Sequence, residues 1–142
     1  MPNRLARLED FGVGQTASHT KTITDEDLAR FIAITGDDNP LHVDEEFARG
    51  TFFGGRIAHG LLSASLLSTV IGTLLPGTGA IYREQTLRFL RPVHPGDTLT
   101  ATAEVREIRR DAGELALATW IANQRGERVI EGEAVVTLRR EK

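Results

Sequence analysis

An α+β domain in which a long antiparallel sheet wraps one apolar helix is the fold class the sequence predicts, and three observations predict it. Four segments of the second half carry strand-like patterning, clearest where apolar and polar residues alternate with a period of two. The segment Leu61 to Leu75 is apolar around most of its circumference, and the helix signals precede those four strands instead of interleaving with them.

In chain order, a leading strand is expected from Gln15 to Thr22. Thr24 then reads as an N-cap, with Asp25, Glu26 and Asp27 favouring the positive end of a helix dipole. Leu28, Phe31 and Ile32 give that helix one apolar stripe, and Gly36 supplies its C-terminal stop. A second, short helix fits Asp44 to Arg49. The Leu61–Leu75 helix would span roughly 22 Å at the usual helical rise, below the roughly 30 Å hydrocarbon thickness of a bilayer, so it reads as a buried helix and not as a membrane span. Ser65, Ser68, Thr69 and Gly72 form one small, weakly polar stripe along it, suited to close packing on a sheet or to lining a cavity. Pro76-Gly77 ends it. Strands follow at Ile81–Leu90, Thr98–Ile108, Glu114–Asn123 and Arg128–Leu138, with turn residues at His94-Pro95-Gly96-Asp97, Asp111-Ala112-Gly113 and Arg125-Gly126-Glu127.

The chain has 142 residues, enough for one domain with a core, and no linker, repeat or low-complexity tract divides it; the whole of 1–142 is read as one domain with the short tail Arg139-Arg140-Glu141-Lys142. Cysteine is absent, which excludes disulfides, thiolate nucleophiles and iron–sulfur clusters and suits a reducing, cytoplasmic setting. The first residues lack the apolar run of a signal peptide. With 17 basic and 20 acidic residues the formal charge is −3, and the signs are interspersed, so there is no electrostatic footprint for nucleic acid. Arg83, Arg88, Arg91 and His94 form a local cationic run that suits either a phosphorylated ligand or the solvated face of a strand.

Chemistry concentrates in Asp37-Asp38-Asn39-Pro40-Leu41-His42. Pro40 lacks an N–H donor and disfavours the helical conformation at Asn39, so a loop is expected to hold the carboxylate of Asp37 and the imidazole of His42. Acid and imidazole together suit proton transfer near neutral pH. No cluster of His with further ligands marks a metal site, and neither His19 nor His94 has a partner at informative spacing.

This hexapeptide, followed by Gly55-Arg56-Ile57-Ala58-His59-Gly60 at the opening of the apolar helix, resembles the MaoC-like group of hot-dog-fold proteins, and within it the (R)-specific enoyl-CoA hydratases. The resemblance runs from about Gly12 to Leu138 and includes Pro76-Gly77, Ile81-Tyr82, Arg91-Pro92-Val93 and Gly96-Asp97. It implies a hot-dog domain around the Leu61–Leu75 helix, dimerising so that two sheets become continuous. It also implies reversible syn addition of water to a trans-2-enoyl thioester, giving an (R)-3-hydroxyacyl thioester carried by coenzyme A or acyl carrier protein. The family's catalytic aspartate and histidine map to Asp37 and His42, its oxyanion-hole glycine to Gly60 and its serine near the catalytic loop to Ser65. Asn39 and His59 are expected to position loop and substrate, and no cofactor is required.

The residue types suit that reaction. Water adding at C3 needs a base, C2 needs a proton donor, and the enolate oxygen needs stabilisation, which a backbone N–H at the start of a helix can give. The expected division makes Asp37 the principal base, with His42 orienting the water and delivering the proton to C2. Asp38 has no assigned role and is expected to point outward or cap a backbone N–H. Ser65 has a second reading as a helix serine bonded to a backbone carbonyl. Two other functions fit the same fold, a hot-dog thioesterase and a non-catalytic acyl-thioester-binding subunit; the Asn-Pro-x-His spacing argues against the first and the intact acid–imidazole pair against the second.

Overall fold

The computed structural model describes residues 4–138, so the Arg139–Lys142 tail lies outside the described residues. Strand β1 (Thr16–Thr22) leads into helix α1 (Asp25–Thr35), then two short helices, α2 (Pro40–Val43) and α3 (Glu45–Arg49), and the long helix α4 (Gly60–Thr73). Strands β2 (Ala80–Gln85), β3 (Arg88–Phe89), β4 (Thr98–Arg109), β5 (Glu114–Ala122) and β6 (Arg128–Leu138) complete the chain. They form one antiparallel sheet in the order β1-β4-β5-β6-β2, with β3 also paired to β6.

The period-two pattern fixes which face of the sheet meets α4. Leu99, Ala101, Ala103 and Val105 of β4 are buried with Leu115, Leu117 and Ile121 of β5 and Ala134 and Val136 of β6, while the intervening residues stay partly open. Helix α4 lays Leu66, Leu67, Val70 and Ile71 on that surface. Each such side chain contributes about 1.5–3 kcal/mol on burial. The small residues at Ala101, Ala103 and Ala134 leave room for the leucines opposite. On the outer face, Ser18, Thr20 and Thr22 pair hydroxyl to hydroxyl with Thr102, Thr100 and Thr98 at 2.7–2.9 Å.

The structure departs from the sequence reading in three places. The strand expected over Ile81–Leu90 is two strands, because the chain steps toward β6 between them. The Thr86 N–H donates to Glu133 O (2.8 Å), and the Thr86 carbonyl lies so close to Gly132 that a Cβ there would sit 1.8 Å from it. Only glycine allows that approach. Second, the expected Asp/His loop ends in a helical turn. Pro40 occupies the first helical position of α2, where its missing N–H costs nothing, and Asn39 caps the turn by accepting from the Leu41 N–H (3.0 Å). Third, α4 is buried on one side only. Leu61 is 61% exposed, and Ser65, Ser68 and Gly72 lie along the same open side.

Helix α1 follows its sequence signals closely. Thr24 Oγ1 accepts from the Asp27 N–H while Asp27 returns a carboxylate oxygen to the Thr24 N–H, and Gly36 ends the helix at φ +79° with its N–H on Ile32 O (2.7 Å). This end of α1 delivers the chain to the site.

Candidate active site

Asp37 leaves α1 directly after the Gly36 stop. Its N–H donates to Thr35 Oγ1 (3.2 Å), and one carboxylate oxygen accepts from the Asn39 N–H (3.3 Å), which turns the carboxylate back over the start of α2. The second oxygen has no hydrogen-bond partner among the described residues. Asp38 points outward, as expected, and its N–H meets the Gly36 carbonyl.

His42 sits in the last turn of α2, buried, with Nδ1 2.7 Å from the carbonyl oxygen of Ile57. A carbonyl only accepts, so Nδ1 carries hydrogen and Nε2 is the nitrogen presented to the pocket. His59 is 2% exposed and lies against His42, ring centroids 3.7 Å apart and planes 28° from parallel, with Phe31 on its other neighbour contact at 4.7 Å. Its Nε2 donates to the backbone carbonyl of Asp37 (2.9 Å), and its Nδ1 has no partner among the described residues. His59 therefore ties the start of α4 to the end of α1 and holds the His42 ring from one side.

The segment carrying His59 is strapped on both sides. Ile57 N–H donates to Leu41 O (3.1 Å) and Ala58 N–H to Val93 O (2.6 Å). Arg56 reaches outward from it, pairing with Glu45 of α3 (3.1 Å) and with Asp25 at the start of α1, while a guanidinium nitrogen approaches the His42 carbonyl (3.4 Å). Its guanidinium is held still further above the usual arginine range by the Asp25 hydrogen bond, burial opposing, with Glu45 adding to it. Arg56 is the positioning residue that motif reading passed over; the signal was its place inside Gly-Arg-Ile-Ala-His-Gly.

These elements enclose a cavity of about 280 Å³ lined by Phe31, Asp37, His42, His59, Gly60, Leu61 and Phe89. Gly60 opens α4, and its N–H has no acceptor among the described residues, so an oxyanion can take it. A Cβ at Gly60 would stand 2.7 Å from the Phe89 ring, so a larger residue there would have to push that ring aside. One ligand atom each from Asp37, His42 and His59 lies within 4.8 Å of the other two. The two stacked imidazoles nevertheless face an ion poorly, since a bound metal lies in the plane of each ring and these planes run side by side.

Of the residues singled out by sequence, Asp37, Asn39, His42, His59 and Gly60 come together here. Ser65 does not. Its hydroxyl donates to Leu62 O on the open side of α4, in a groove with Leu61, Ser68 and Tyr82. Partial burial of an otherwise exposed side chain pushes the Tyr82 phenol up to about 12, so it stays a donor, to Gln85 Oε1 at 3.0 Å. The cationic run is dispersed: Arg83 lines the α4 groove, Arg88 lines a cleft on the outer sheet beside Trp120, and Arg91 pairs with Glu127 (3.3 Å). His94 meets the Phe53 carbonyl (3.2 Å).

A sheet wrapped on one helix, with an acid–imidazole pair beside the start of that helix, is a hot-dog fold. Residues 10–121 match the model of the MaoC like domain, and the chain belongs to the MaoC-like family. It is 47% identical to an (R)-specific enoyl-CoA hydratase of Rhodospirillum rubrum, over 90% of this chain and 88% of that protein. It is 45% identical to a 3-hydroxybutyryl-CoA dehydratase of Methylorubrum extorquens, over 94% and 84%. Among solved structures it resembles R-hydratase PhaJ1 of Pseudomonas aeruginosa, with a TM-score of 0.90, 44% identity and coverage of 96% of this chain and 88% of that one. The (R)-hydratase of Aeromonas caviae involved in PHA biosynthesis gives 0.89 and 44%, over 92% and 99%.

Proposed function

We propose that the protein is an (R)-specific enoyl-CoA hydratase, a hydro-lyase that adds water reversibly to trans-2-enoyl thioesters. The observation that carries this reading is the convergence of Asp37, His42 and the free Gly60 amide on one small cavity.

The thioester oxygen accepts from the Gly60 N–H, which stabilises the enolate formed when C3 is attacked; loss of one such donor in other enzymes costs about 2.7–4 kcal/mol. One water lies between the Asp37 carboxylate and the His42 ring, which offer ligand atoms within 4.8 Å of each other, a separation two ordinary hydrogen bonds span. Asp37 takes a proton from that water as its oxygen bonds to C3. His42 as imidazolium gives its Nε2 proton to C2, which becomes CH2, and the proton held by Asp37 returns to His42 through the next water. The hydrogen bond from Nδ1 to Ile57 keeps the ring from turning, so water and C2 proton arrive on one face and addition is syn.

Asn39 and His59 hold the acid and the imidazole in place, while Ser65, expected to position loop or substrate, lies outside this cavity in the groove between α4 and Tyr82. A second copy pairs along the exposed edge strand β2, where Ile81 and Tyr82 are exposed, to make a homodimer with a continuous sheet. The whole chain, 1–142, acts as one cytoplasmic domain on thioesters of coenzyme A or acyl carrier protein. Among the described residues no helix is long and apolar enough to cross a membrane.

Absorbance of the conjugated double bond of crotonyl-CoA, followed with free thiol, tests the reading. Loss of conjugation without thiol supports it. Thiol release would make the protein a thioesterase, and binding with neither change an acyl-thioester-binding subunit.

A further inference from the structure

His59 is a buried titratable side chain that the water-adding steps leave idle. It is 2% exposed; Nε2 donates to the Asp37 carbonyl (2.9 Å), and Nδ1 is buried with no hydrogen-bond partner among the described residues. A neutral imidazole fits those surroundings, since one nitrogen donates and the other keeps a bare lone pair. An imidazolium does not. Its Nδ1 would carry an N–H with nothing to accept it, at the larger penalty that attaches to a buried charged group.

His42 is placed the other way. Its Nδ1–H has the Ile57 carbonyl at 2.7 Å, and its second nitrogen is the one presented to the cavity that Asp37 also lines. The two rings stack with centroids 3.7 Å apart, so charging both would set two cations face to face, and the pair takes one positive charge between two rings. The charged groups around the pair are the Asp37 carboxylate, from the end of α1, and the Arg56 guanidinium, from the segment before α4. Asp37 draws a proton to the pair, and Arg56 is itself paired to Asp25 and Glu45. Helix α1 also brings Phe31, and β3 brings Phe89, neither of them charged.

We infer that His59 directs the proton of this stacked pair: its unpartnered Nδ1 keeps it neutral, so the positive charge resides on His42, the ring that passes a proton to C2. The inference rests on the hydratase reading. A charge on His59 would do no chemistry, because its Nε2–H is tied to a backbone carbonyl and its Nδ1 is buried. His59 thus acts through His42, as a positioning residue for a proton as well as for a ring.

NMR of isotope-labelled histidine ring nitrogens in the full chain, over the pH range in which the enzyme is active, tests this. The four imidazoles are assigned from the His19→Gln, His42→Gln, His59→Gln and His94→Gln variants; if His59→Gln does not fold, the other three assign His59 by elimination. The expected spectrum shows both nitrogens of His42 protonated while His59 has one protonated and one bare nitrogen, and His59 keeps its bare nitrogen in His42→Gln. Two protonated nitrogens on His59, in the wild type or in His42→Gln, overturn the inference. The kcat–pH profile for crotonyl-CoA is the second readout. The amide introduced by His59→Gln can donate to the Asp37 carbonyl but cannot carry a charge, so the limbs of the profile stay where the wild type has them even if kcat falls. Loss of the limb that reports an imidazolium would put the charge on His59 and overturn the inference while leaving the hydratase standing. Failure of the wild type to hydrate crotonyl-CoA at all would instead remove the hydratase reading, and this role with it.

Discussion

The sheet with the buried side of α4 and the segment from Thr35 to Gly60 are held by different means. In the first, Leu66, Leu67, Val70 and Ile71 meet Leu99, Leu117 and Ile121, and burial does the work. In the second, regular structure is brief and geometry comes from single hydrogen bonds: Asn39 capping α2, His42 on Ile57, His59 on Asp37 and Arg56 across Asp25, Glu45 and His42. On the proposed function, the contrast separates stability from catalysis. Damage to the first region should unfold the protein, and damage to the second should leave it folded and idle.

The largest separation is expected at the reacting groups. Asp37→Asn and His42→Gln should each lower kcat by roughly 10²- to 10⁴-fold, the usual range for a lost acid or base, with thermal unfolding little changed. Leu67→Ala should do the reverse. At 1% exposure it leaves a cavity worth about 2–5 kcal/mol, seen in urea unfolding, while the folded fraction keeps its KM. Near-normal turnover in either site variant, or a stable Leu67→Ala, would break the comparison.

Arg56→Met sharpens it. The Arg56 ion pairs are partly exposed, so stability should fall by no more than about 1 kcal/mol. Yet Arg56 steadies both the His42 turn and the α1 start, so kcat should fall about tenfold or more, since small misplacements of reacting groups are costly. Arg56→Lys should not restore it, as a point charge cannot reach three acceptors in a plane.

Much of this was legible in the sequence, and unevenly so. The α1 cap, its Gly36 stop and the alternation of β4 and β5 follow from local rules, and so did the grouping of Asp37, His42 and Gly60 once the motif was placed on a family. Three features were not local. The split between β2 and β3 depends on Thr86 meeting Gly132, 46 residues away. The helical turn at Pro40 needed Asn39 to act as cap, which turns a helix breaker into a first residue. Ser63 and Ser65 are two positions apart on one helix, and only packing shows that the first is buried beside a cavity while the second is tied to Leu62 on the open side.

The smallest expected effect lies at the α1 cap. Burial raises the Asp27 carboxyl, but Lys21 and the Thr24 N–H outweigh it and hold it below its ordinary value. A lowered folded value means the stabilisation is present above the unfolded carboxylate pKa and is lost as pH falls through the folded one. Thr24→Ala should cost about 1 kcal/mol at neutral pH. Asp27→Asn should be less stable than wild type at pH 7, with the gap closing below about pH 4.

The central claim is that Asp37 and His42 flank one water, so that the hydroxyl this water supplies at C3 and the proton His42 supplies at C2 arrive on one face of the double bond. Hydration of crotonyl-CoA in deuterium oxide, with the configuration at C2 and C3 determined in the product, measures this directly. The account predicts an (R) centre at C3 with deuterium added to C2 from the same face; an (S) centre, or deuterium on the opposite face, would contradict it.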